Sequence, residues 1–123
     1  FGVIGSPGFA MDGELLRHNL RRIVSRGIHP AGTARQLLAI LASGDRRALL
    51  ARIVAPTLVV HGSDDPLLPV AAGRDTALHI PGARLEIISG MGHDLPPGVQ
   101  PLLVERIVAH CRGALRAPVP WST

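Results

Sequence analysis

Two side chains in this sequence stand where proton-transfer chemistry could be done, Asp65 and His93. Asp65 belongs to Thr57–Pro69, in which four residues of β-preferring type run into a glycine, two carboxylates and a proline. A buried parallel strand reads this way when it ends in a loop that presents an acid. His93 closes the run Gly90-Met91-Gly92-His93, which follows a second apolar stretch, Leu85-Glu86-Ile87-Ile88. A carboxylate that orients an imidazole is two thirds of a nucleophile–histidine–acid triad, in which the histidine moves the proton and the acid fixes its tautomer. The spacing therefore predicts that both groups emerge at the carboxyl ends of neighbouring strands, the edge where open α/β sheets hold their ligands.

The elements that must position this pair follow from periodicity and from Gly and Pro. Phe1–Ile4 is a short apolar run that could be the tail of a strand, ending in Gly5-Ser6-Pro7-Gly8. Asp12 caps a helix expected over Glu14–Arg26, with Gly27 as its stop and Leu16, Leu20, Ile23 and Val24 as its apolar stripe. His29-Pro30 is expected to break the chain before a second helix over Ala34–Ala42. Asp45 caps a third over Arg46–Arg52, with Leu49, Leu50 and Ile53 turned inward. The stripes of this helical section are expected to be core rather than a substrate wall. A strand over Thr57–Val60, a helix over Val70–His79, a strand over Ala83–Ile88 and a helix over Pro101–Leu115 complete the order. A strand–helix–strand unit of this kind is parallel. The fold class is α/β, with two or three parallel strands, flanking helices and an inserted helical layer. A sheet that small leaves an unpaired edge, so the chain reads as the C-terminal portion of a larger sheet.

Composition narrows the functions. The 123 residues make one domain at most or a piece of one, and 46% hydrophobic against 18% charged residues is globular composition. All 13 basic residues are arginines, spread along the expected helices, and aromatic residues are 2%. That pattern fits a GC-rich coding bias and lacks the clustered cations and stacking platforms of a nucleic-acid surface. No apolar run is long enough to span a bilayer, and the chain opens on Phe1 without the layout of a signal peptide. A lone cysteine, Cys111, fits a reducing, cytoplasmic setting and is expected to be buried and inert on the last helix. His61, Asp64, Asp65 and His93 have no recognisable metal-ligand spacing. No metal, cofactor, nucleic acid or membrane is expected.

Pro56–Pro69, Ile80-Pro81-Gly82-Ala83 and Gly90–Pro96 together resemble the α/β-hydrolase fold family, nearest to its aclacinomycin methylesterase-like esterases. The acid signature Gly-x-x-Asp-x-x-x-Pro is met by Gly62, Asp65 and Pro69, and the Gly-x-Gly-His loop by Gly90, Gly92 and His93. Ile4–Phe9 is similar to the end of that family's sixth strand and Gly32–Arg47 to its passage from cap to core. The resemblance implies a helical cap segment at 10–53, a strand-helix-strand-helix core at 54–115 and a tail at 116–123. It also implies catalytic roles for Asp65 and His93 and a small ester-like substrate. Pro66 and Pro69 would stiffen the acid loop, and Gly90 and Gly92 would allow the tight turn under the imidazole.

The nucleophile is missing from this pattern. Gly-x-Ser-x-Gly should stand at a strand-to-helix elbow, where the following N–H helps stabilise an oxyanion. Ile4-Gly5-Ser6-Pro7-Gly8 puts Ile at the first glycine, and Pro7 has no N–H to give. Ser6 is thus not the nucleophile, and the serine is expected upstream of Phe1, which leaves this chain inactive alone. Asp64 is the competitor for the role of acid and is assigned instead to the turn. His61 reads as a supporting histidine, and Asp94 and Met91 as capping or packing residues. Two other readings stay open: a non-catalytic binding domain of the same fold, and a dehalogenase- or epoxide hydrolase-type enzyme with an aspartate nucleophile.

Overall fold

The computed structural model describes residues 3–116, with side chains to 113. Seven elements follow one another: α1 (Gly13–Ser25), α2 (Pro30–Ala42), α3 (Arg47–Leu50), β1 (Leu58–Gly62), α4 (Val70–His79), β2 (Arg84–Ile88) and α5 (Gln100–Arg116). Their order is the one the sequence predicts, apart from the opening run. Val3 and Ile4 lie in a turn rather than a strand, because the backbone there pairs with a loop: His93 N–H donates to the Ile4 carbonyl at 2.8 Å. Phe1, Gly2 and the 117–123 tail lie outside the described residues.

β1 and β2 form a two-stranded parallel sheet, in register from Leu58 opposite Arg84 to Gly62 opposite Ile88. The apolar runs that name the strands thus end side by side. α4 connects them and packs on both. Its approach to β1 is close at Gly73, where an added Cβ would stand 2.7 Å from the His61 ring. A small core of Ile88, Met91 and Val99 sits beneath the β2 end, with Phe9, Val60, Leu102 and Leu103 packed on it. Val99 and Pro96 are fully buried there, so α5 is tied at its start, immediately after the His93 loop.

The ends of α1 follow its capping residues. Asp12 accepts the N–H groups of Glu14 and Leu15, and Gly27 leaves α1 at φ +93°. α2 begins earlier than expected: Pro30 is its first residue and not a break before it. Proline lacks an N–H that the first helical turn would leave unused in any case. α3 is short, with Leu50 and Ile53 half-buried and Leu49 59% exposed.

Two expectations about burial need correcting. Neither α1 nor α2 has a buried residue, and Leu20, Ile23, Val24, Leu37, Leu38 and Leu41 are all exposed, so their stripes are not core among the described residues. Cys111 is exposed rather than buried. The reason is shared: an apolar stripe is core only when another element covers it, and none described here covers these.

Candidate functional site

β1 delivers Asp65 three residues past its last residue, Gly62, into a loop built around the carboxylate. Oδ1 of Asp65 accepts the backbone N–H groups of Leu67 and Leu68, each at 2.9 Å. This is the local side-chain turn that Asp favours. Oδ2 is left pointing at β2's loop, where Nδ1 of His93 lies 2.7 Å away. The Asp65 side chain is 6% exposed and that of His93 35%. A carboxylate can only accept, so Nδ1–H is the donor to Asp65, and in the neutral ring this tautomer leaves the lone pair on Nε2. Burial pushes the Asp65 carboxyl up, but hydrogen bonds from Leu68, His93 and Leu67 outweigh it and hold the group below its usual value.

That shift has a consequence for acid stability. A carboxyl lowered in the folded state stabilises the fold above its unfolded pKa of about 3.9, and the contribution fades as pH falls through the lower folded value. Asp65→Asn is therefore expected to flatten the stability–pH curve on the acid side of about pH 4, as read by denaturant unfolding at a series of pH values. An unchanged curve would mean that the carboxylate gains nothing from its three donors.

The His93 loop is shaped by two glycines that act differently. Gly90 adopts φ +73°, a conformation costly for any residue with a Cβ. Gly92 has no such angle; its role is close approach, since a Cβ there would meet the Gly5 carbonyl at 2.3 Å. The expectation that both glycines serve the turn itself thus applies to Gly90 alone. Around them, Gly8 N–H donates to Gly90 O at 2.8 Å and Asp64 N–H to Met91 O at 3.0 Å.

The remaining candidates separate cleanly. Asp64 is exposed and its Oδ2 accepts the Ser63 hydroxyl at 2.6 Å, away from the imidazole. His61 turns Nδ1 to the Gly62 carbonyl at 2.9 Å and packs its ring on Gly73. Met91 is a core residue, 7% exposed. Among the described residues no group of three His, Cys, Asp or Glu side chains is arranged to hold a metal ion. Ser6 is buried and spends its hydroxyl on structure, donating to Asp94 Oδ1 at 2.5 Å and accepting Gly92 N–H at 2.8 Å. Sequence reasoning missed this Ser6–Asp94 pair. The two residues are 88 positions apart, and each alone reads as an ordinary turn residue. A cavity of about 320 Å³ opens beside them, lined by Pro7, Phe9, Met11 and Leu16 as well as Ser6 and Asp94. Its wall is mostly apolar, and Asp94 adjoins His93 in the chain.

No protein-family model matches the chain. It is 45% identical over 69 residues to a rhodomycin D methylesterase from a Streptomyces species, covering 56% of this chain and 23% of that protein. A pimeloyl-(acyl-carrier protein) methyl ester esterase from Nitrosomonas europaea is 36% identical over 75 residues, covering 60% of this chain and 30% of that protein. A poly(3-hydroxyalkanoate) depolymerase from Ectopseudomonas oleovorans is 34% identical along 98% of this chain and 42% of its own length. The chain thus spans less than half the length of each of these three relatives.

Proposed function

We propose, from its similarity to two methyl ester esterases, that this chain carries the acid and the base of a serine esterase of the α/β-hydrolase fold. In this reading Asp65 and His93 belong to a Ser-His-Asp triad whose serine lies outside the chain. The 10–53 segment is a cap over the pocket and 54–115 is part of the catalytic core. The observation that carries the reading is the 2.7 Å contact between Asp65 Oδ2 and His93 Nδ1. Two backbone donors hold the carboxylate, so it presents a fixed acceptor to the ring.

The chemistry runs through the free Nε2. It takes the serine proton as the hydroxyl attacks the ester carbonyl, and the imidazolium formed is stabilised by Asp65. The same proton passes to the departing alcohol, which leaves an acyl-enzyme. Water then repeats the sequence, with His93 again as base, and releases the acid. Methyl esters are the first substrates to try, because two of the relatives are named for them.

Protein expressed together with its upstream coding sequence is expected to hydrolyse methyl hexanoate. On mixing with p-nitrophenyl butyrate it should release a burst of nitrophenol and show a butyryl adduct by intact mass. Absence of hydrolysis with a range of short esters would overturn the esterase reading.

A further inference from the structure

The turn that carries His93 is held through its backbone N–H groups by partners from other loops as well as its own strand. Of the N–H groups at Gly90, Met91, Gly92 and His93, two donate to backbone carbonyls: Met91 to Ile88 at 3.3 Å and His93 to Ile4 at 2.8 Å. The other two donate to serine hydroxyls from different loops. Gly90 N–H meets Ser63 Oγ at 2.8 Å, and Gly92 N–H meets Ser6 Oγ at 2.8 Å. Each hydroxyl gives its own proton to a carboxylate, Ser63 to Asp64 Oδ2 at 2.6 Å and Ser6 to Asp94 Oδ1 at 2.5 Å. A hydroxyl that donates its own proton becomes a stronger acceptor in turn.

We infer that Ser6–Asp94 and Ser63–Asp64 are two clips that fix the histidine turn, and that Ser6 and Asp94 are positioning residues for the His93 imidazole. The inference rests on the reading of His93 as the base. The two clips are unequal. Ser6 and Asp94 are each 8% exposed, whereas Ser63 and Asp64 are open to water. Water can replace a lost hydroxyl at Gly90. At Gly92, itself buried, loss of Ser6 leaves an N–H without a partner and frees the turn one residue before the catalytic ring. A small displacement of a proton-transfer group is felt mainly in kcat, not in binding. The clips also give Asp64 a role that is not that of the acid.

The test uses the protein expressed with its upstream coding sequence. Ser6→Ala is expected to lower kcat for methyl hexanoate by roughly 10- to 100-fold with KM little changed, and Ser63→Ala by about threefold or less. A readout independent of turnover is the downfield proton resonance of His93 Nδ1–H, which is visible only while the Asp65 contact is shielded from exchange. It should persist in wild type and Ser63→Ala and vanish in Ser6→Ala. A retained resonance or an undiminished kcat in Ser6→Ala overturns the inference. If Ser6→Ala does not fold, Asp94 decides. Asp94→Ala removes the acceptor of the Ser6 hydroxyl and should behave as described for Ser6→Ala, while Asp94→Asn keeps an acceptor and should lose far less. Equal losses in the two variants would also overturn it. Should the wild-type protein hydrolyse no ester, the hydrolase reading fails, while the proton resonance still decides the clips.

Discussion

Replacing His93 by alanine is expected to lower kcat for ester hydrolysis by about 10⁶-fold, the scale seen when the base of a triad is removed. No other described group can take over. Asp65, with Oδ1 held by the Leu67 and Leu68 N–H groups and its carboxyl below the ordinary value, is a weak base, and Asp94 is buried against Ser6. The fold should survive the change. The imidazole is about one third exposed, and the link from His93 to Ile4 runs through the backbone. A stability loss of no more than about 1 kcal/mol is expected by denaturant unfolding. A variant that keeps more than about a hundredth of wild-type turnover would show that proton transfer does not pass through this ring.

Asp65→Asn should be nearly as severe, with a loss of about 10⁴-fold in kcat. The reason lies in the two amides at the other oxygen. Leu67 and Leu68 N–H groups require an acceptor, so the asparagine must place its oxygen there and its NH₂ toward His93. The imidazole would then accept at Nδ1 and carry its proton on Nε2, the tautomer unable to take a proton from serine. Asp64→Asn serves as the comparison, because its carboxylate meets only the Ser63 hydroxyl. A loss of about tenfold or less is expected there, for the same kinetic assay. If Asp64→Asn proved the severe substitution, the assignment of the acid would be wrong.

The sheet edge was readable because it is written locally. Val59, Val60, Ile87 and Ile88 mark the strands, Pro69 and Pro81 bound α4, and the structure places that helix on the expected residues Val70–His79. Asp65 and His93 could be singled out for the same reason: each follows its strand within a short loop of constrained residues. What could not be read depends on distance in the chain or on what covers a surface. The Ser6–Asp94 bond joins residues with no local relation, so Ser6 could be dismissed as a nucleophile without revealing what it does. Apolar stripes on α1 and α2, and the place of Cys111 on α5, look the same in sequence whether covered or open. Pro30 reads locally as a break, yet its missing N–H and fixed φ equally suit the first position of a helix, and α2 starts on it.

In the proposed triad His93 delivers its reactivity to a serine that is not among residues 3–116. Treatment of the protein, expressed with its upstream coding sequence, with a fluorophosphonate and mapping of the adduct by peptide mass spectrometry tests this in one measurement. The expected result is a single adduct on a serine in a Gly-x-Ser-x-Gly sequence preceding Phe1, formed in wild type and reduced to background in His93→Ala. An adduct on Ser6 or any other serine of this chain, or labelling indifferent to the loss of His93, would contradict it.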